Sequence, residues 1–204
     1  MRLNRDFYAR STLAVARDLL GNDLVHIAAD GVRRGGCIVE TEAYVGPDDA
    51  ASHARSGPRG RASLMWGTAG VAYVYLIYGL HHCFNVVTER AGFPGAVLVR
   101  AIEPFENTPR ANGPALVCRA LGVDRTCNGV DMVHSVSLFI ETGATVEDTR
   151  VRMGPRIGVD YAGDWAAHPW RLWVADSEHV SRRPRTGTLY ADAMVRRPDG
   201  SAKS

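Results

Sequence analysis

Glu40 and Glu42 stand two residues apart in the stretch GCIVETEAYVGPDDAASH, residues 36–53, and Tyr44 follows at the same spacing. A run rich in Val and Ile reads as a β-strand. Period-2 alternation then sets Ile38, Glu40, Glu42 and Tyr44 on one face and Cys37, Val39, Thr41, Ala43 and Val45 on the other. Two carboxylates so placed start about 7 Å apart, a separation that suits an acid and a base flanking a glycosidic bond. A solvent-facing strand would accommodate the same residues with no chemistry at all. Arg100, enclosed by Leu98, Val99, Ala101 and Ile102, needs a carboxylate if it is buried, and Glu40 or Glu42 could supply it. The bland account of that pair is an ion pair that only fixes the sheet.

His53 opens a basic loop in which Arg55, Arg59 and Arg61 lie among Gly and Pro. Such a loop can lay guanidinium and backbone donors along phosphates, although an ordinary solvated loop has the same composition. Tyr73 and Tyr75 share one side of a strand, where packing is their usual role. Tyr78 falls at a hairpin tip, where a flat ring can stack on or wedge between bases. Asn85 sits among apolar neighbours and must find hydrogen-bond partners if buried. His81, His82 and Cys83 are consecutive on a strand and point to opposite faces, which disfavours shared coordination, so no metal is expected. Cys37, Cys83, Cys118 and Cys127 lack C-x-x-C spacing and read as reduced thiols.

These residues need elements to hold them. ARSTLAVARDLLGND reads as a helix with Ser11 or Thr12 as cap, Leu13, Ala16, Leu19 and Leu20 as apolar stripe, and Gly21 as stop. DLVHIAADGVRRGGCIVETEAYV reads as a hairpin turning near Asp30-Gly31, with the Glu40–Glu42 strand as its second arm. Residues 46–68 form a long polar surface loop of the kind often given to function. A second hairpin turns at Tyr78-Gly79-Leu80-His81, and GAVLVRAIEP adds a strand, so the sheet is mostly antiparallel. NGPALVCRALGV reads as a short helix capped by Asn112 with Pro114 early, and GPRIGVDYAGDWAAHPWRLWVAD as a loop, a helical turn and a strand. The fold class expected is mixed α/β (α+β), a single domain over residues 1–183, followed by a basic, flexible tail over 184–204.

With 204 residues, 46% hydrophobic and 23% charged, the chain suits one soluble core, and no apolar run approaches a bilayer span. No apolar stretch of signal-peptide length follows the charged MRLNRDFYAR, so a cytoplasmic location is expected, nucleoid-associated in a bacterium. Of 24 basic residues only Lys203 is a lysine. Arginine favours phosphate contacts, although a GC-rich genome produces the same bias.

The order of FYARSTLAVARDLLG, IVETEAYVGPDDAASH, GTAGVAYVYLIYGLHHCFNVV, AVLVRAIEP, NGPALVCRALGV and RIGVDYAGDWAAHPWRLWV closely resembles the alkyladenine (3-methyladenine) DNA glycosylases of the mammalian type, from about Phe7 to Ser181. The resemblance implies a curved, mostly antiparallel sheet flanked by helices, with a protruding β-hairpin. It implies an enzyme that flips a damaged purine out of duplex DNA and hydrolyses its N-glycosidic bond. Glu42 matches the general base that activates water, and Arg100 and the backbone carbonyl of Ile157 match the groups that help hold that water. Tyr44, His53 and Tyr75 match the stack around the flipped base, and Asn85 the residue that disfavours guanine. Tyr78 matches the residue inserted into the minor groove, beside Leu80 and His81, while Arg55, Arg59 and Arg61 are placed to contact DNA.

No cofactor and no obligate protein partner are implied, and a monomer is expected. A lyase step would need an amine; Lys203 lies outside every motif and the N-terminal amine of Met1 is the only other candidate, so a monofunctional hydrolase is expected. Two rival readings use the same residues: a non-catalytic protein that binds damaged DNA, and a hydrolase of small glycosides or nucleosides working through Glu40 and Glu42.

Overall fold

The fold is built on two long strands, β2 (Arg33–Val45) and β5 (Gly95–Pro104), whose pairing brings Glu40, Glu42 and Arg100 together. The computed structural model describes residues 1–182 and 187–195. β1 (Asp23–Ile27) precedes β2, and Gly31, with φ 72°, makes the turn between them at the Asp30-Gly31 position expected from sequence. β3 (Ala72–Ile77) and β4 (His81–Val87) form the second hairpin, and β4 pairs with β5. On the other side, β2 pairs with β8 (Arg171–Val174), which pairs with β7 (Val151–Gly154), and β6 (Leu138–Glu141) lies beside β1. Every pairing among the described residues is antiparallel, with strand order β3-β4-β5-β2-β8-β7 and then the two-residue β9 (Thr188–Leu189).

Helices cover this sheet because their apolar stripes need a partner. The N-terminal helical region is split into α1 (Arg5–Tyr8) and α2 (Thr12–Asp18), and the Ser11 side chain caps α2 by accepting from the Ala14 N–H. Val15 and Ala16 of α2, with Leu19 at its end, join the main core, and Thr41 of β2 donates to the Ala16 carbonyl at 2.8 Å. α3 (Pro114–Leu121) brings Val117, Cys118 and Leu121 into the same core. Its N-cap is Gly113 rather than Asn112: the Asn112 amide oxygen accepts from Arg110 Nε at 2.8 Å and is lost to the helix.

The expected alternation in β2 is broken. Val39 has no partner opposite it on β5, and Arg100 has none opposite it on β2, so each strand carries one extra residue and the two bulges cancel. Ile38 therefore joins Val39 in the main core instead of sharing a face with the glutamates. Beyond the second bulge the register holds from Thr41 to Val45, and the Glu42–Tyr44 face is preserved.

Of the segment read from sequence as a tail, Thr188–Leu189 form β9 beside β7, and α4 (Tyr190–Val195) follows with Tyr190 against the Arg17 guanidinium. Residues 184–186 and 196–204, including Lys203, lie outside the described residues. No helix among the described residues is long and apolar enough to cross a membrane.

Candidate active site

Residues 46–68 form an anchored loop with two 3-10 turns, His53–Ser56 and Gly60–Trp66. Its anchor is Asp49, fully buried, which takes two hydrogen bonds from Arg156 at 2.6 and 2.8 Å and others from the Val45 and Ala51 N–H groups. Asp49 is paired and its oxygens are filled, and both terminal nitrogens of Arg156 are used, so the pair can be buried although Arg156 Nε is left without a partner. The Arg156 guanidinium also lies over the rings of Tyr44, at 4.8 Å, and Trp170, at 5.0 Å. Loop, Tyr44 and the segment after β7 are thus locked to one another.

Between this loop, the β3–β4 hairpin and residues 157–161 lies a cavity of about 490 Å³. Tyr44, His53, Tyr75, Asn85, Arg100 and Ile157 all line it, with Tyr78 and Arg61 towards its mouth. His53 meets Tyr75 edge-on at 4.6 Å, and its Nδ1 is 2.8 Å from the Tyr73 hydroxyl. Burial first, and the Arg61 charge second, hold the His53 imidazole down to about 4, so it is neutral at physiological pH. Asn85 is buried and donates its side-chain amide to the Tyr73 carbonyl at 3.1 Å.

Glu42 is fully buried and does not itself line this space, but it touches three residues that do, Tyr44, Arg100 and Ile157. Its Oε1 accepts the Ile157 N–H at 2.8 Å, and its Oε2 accepts the Tyr44 hydroxyl at 3.0 Å and faces Arg100 Nη1 at 3.2 Å. It is the N–H of Ile157, not its carbonyl, that touches Glu42. Burial pushes the Glu42 carboxyl above the usual range, against the pull of Arg100, the Ile157 N–H and Tyr44. Oε1, with one donor, keeps a lone pair for a further donor such as water. A carboxylate so held, beside an aromatic cleft, can take a proton from a water aimed at a bound planar group.

Glu40 is equally buried but saturated: it accepts from Arg100, Arg171 and Ser181, and of the residues it touches only Arg100 lines the cavity. A mechanism that uses Glu40 and Glu42 as two working carboxylates therefore lacks a second free group.

The hairpin tip projects. Tyr78 is 91% exposed with φ 51°, and Gly79 follows with φ 70°. A bulky residue at positive φ is strained, and such strain gathers at functional sites. Leu80 is also exposed, and it lines with His81 a separate depression of about 310 Å³ against α3. Arg55 turns back to the Ala50 carbonyl at 3.2 Å, and Arg59 is exposed outside the cavity.

Sequence reasoning missed Tyr161, 68% exposed at the cavity mouth, and the Asp49–Arg156 anchor, whose partners are 107 residues apart. The isolated aromatic in VDYAGD was the only signal for the first, and no local pattern marks the second. Among the described residues no group of three or more His, Cys, Asp or Glu could hold a metal ion.

The family model described as methylpurine-DNA glycosylase matches residues 6–178. The chain belongs to that family. A protein of Myxococcus xanthus provisionally named 3-methyladenine DNA glycosylase is 55% identical over 91% of this chain and 96% of its own. Relatives with the same provisional name occur in Anaeromyxobacter, 54% identical over 90% and 94% of the two chains, and in Methanocella arvoryzae, 47% identical over 89% and 96%. The kinship thus runs through bacterial and archaeal members rather than to the mammalian type in particular. At the level of the family the chain is a DNA glycosylase of base excision repair, a hydrolase acting on alkylated purines.

Proposed function

We propose that the chain is a monofunctional glycosylase that works as the mammalian type does. It turns an alkylated or deaminated purine out of the duplex and hydrolyses its N-glycosidic bond with a water activated by Glu42. The observation that carries this reading is Glu42 itself, buried behind Tyr44, Arg100 and Ile157 in the wall of an aromatic cavity, with these three donors around it and one lone pair to spare. The flipped base stacks between Tyr44 on one side and His53 with Tyr75 on the other, and Asn85 meets its edge and disfavours guanine. Tyr78 fills the gap left in the helix, offsetting the few kcal/mol of unstacking. Leu80, His81 and the arginines of the loop steady the DNA.

Alkylation makes the purine electron-poor and a better leaving group, so a single base is enough for the chemistry. The range expected includes 3-methyladenine, 7-methylguanine, ethenoadenine and hypoxanthine. The protein acts as a cytoplasmic monomer.

Duplexes carrying 3-methyladenine, ethenoadenine or hypoxanthine test the reading, with wild type beside Glu42→Gln. Base release should fall by roughly 10²- to 10⁴-fold in the variant. Equal release by both would remove Glu42 from its role, and no release from any lesion would favour a protein that only binds damage. Borohydride should trap no covalent adduct, and a trapped adduct would overturn monofunctional hydrolysis.

A further inference from the structure

Glu40 is a fully buried carboxylate that the excision reading leaves without employment. Its Oε1 accepts from Arg171 Nε at 2.6 Å, Ser181 Oγ at 2.9 Å and Arg100 Nε at 3.1 Å, and its Oε2 accepts the Ser181 N–H at 2.6 Å. Arg100 gives Nη2 to Ser181 Oγ at 3.3 Å, and Nη1 is the nitrogen that faces Glu42. Arg171 in turn donates to the carbonyls of Ser181 and Arg182, clamping the chain after β8 over the pair. We infer that Glu40 is a positioning residue: with Ser181 it fixes two edges of the Arg100 guanidinium so that Nη1 alone is aimed at Glu42.

The inference rests on the excision reading and deepens it. A guanidinium has several rotamers and five donors, and one that pivots can leave the carboxylate or seize the lone pair meant for water. The bulge at Arg100 gives this side chain its departure from the regular pleat, and Glu40, next to the matching bulge at Val39, holds its far edge. Charge matters as well. Glu40, Glu42, Arg100 and Arg171 sum to zero when both carboxylates are ionised. The other groups that face Glu42 are the Ile157 N–H, Tyr44 on its own strand, and Tyr75 and Cys83 from the β3–β4 hairpin. None of these carries a second negative charge at neutral pH. Removal of the Glu40 charge therefore leaves an excess positive charge that favours the Glu42 anion.

Single-turnover release of 3-methyladenine from methylated duplex DNA, measured across pH, tests this with wild type, Glu40→Gln, Ser181→Ala and Glu42→Gln side by side. Glu40→Gln should bind duplex DNA with unchanged affinity and release base about tenfold more slowly, within the roughly hundredfold that a 1 Å misplacement can cost. Its acid limb should move to lower pH. Ser181→Ala loosens Arg100 without changing charge, so its rate should fall while its limb stays.

A Glu40→Gln protein with wild-type rate and wild-type limb overturns the inference, whatever happens to its melting temperature. Should Glu40→Gln fail to fold, Ser181→Ala decides, and an unchanged rate there has the same force. If wild type releases no base, or Glu42→Gln releases as much as wild type, the excision reading has failed instead.

Discussion

His53 shows how one residue ties the chemistry of the site to the stability of the fold. Its ordinary value is 6.5, and in the fold it is held at about 4 by burial and then by Arg61. Between those values the unfolded chain takes up a proton that the folded chain refuses. The contribution of neutral His53 to stability is therefore complete above pH 6.5 and is lost as pH falls through about 4. His53→Asn should flatten the fall of melting temperature over that window, and a slope as steep as wild type would mean that other groups set it. Glu42 is shifted in the opposite sense, first by burial, so excision should be lost on acidification at a pH above the ordinary carboxylate range. A limb at or below that range would show that the working anion is better stabilised than its surroundings imply.

The β3–β4 hairpin separates two demands on one element. Its strands pack Tyr73 and Phe84 into the protein, whereas its tip holds Tyr78 at φ 51° with nearly all its surface exposed. Tyr78→Asn suits the left-handed conformation and should raise the stability of the protein by about 1 kcal/mol, while slowing excision from duplex DNA. A thermal melt and a single-turnover assay read the two effects, and a melt that does not rise would mean the turn carries no strain. Elements of this kind were legible in the sequence because hairpins announce themselves by alternation and turn residues. The face shared by Glu42 and Tyr44 was legible for the same reason. The bulges at Val39 and Arg100 were not, because a residue without a partner is defined by the opposite strand. β6 and β7, four residues each, gave too short a run to stand out from their loops. The Asp49–Arg156 anchor was hidden for a third reason: only the closed fold brings its halves together.

At the scale of the whole molecule, a formal net charge of +2 gives little general attraction to a polyanion. On the proposed reading the electrostatic part of the affinity for duplex DNA comes from the arginines of the 46–68 loop. Each phosphate contact adds about 0.9 to the slope of log affinity against log salt. Arg59→Ala should therefore lower that slope by about 1, and an unchanged slope would remove Arg59 from the DNA contact. The C-terminal elements matter at the same scale. β9 extends the sheet beyond β7, and Tyr190 lies on Arg17 at the end of α2, so the last described residues brace the first. The bulges also mark where this chain can change length over its history. Loss of Val39 would only remove a bulge, with Ile38 still opposite Ile102 and Glu40 opposite Ala101, whereas loss of a paired residue such as Ala43 would turn Tyr44 away from the face of Glu42. Insertions and deletions are free to accumulate at exposed turns such as Gly31, where a Cβ would meet nothing, but the paired stretch of β2 from Thr41 to Val45 must keep its length.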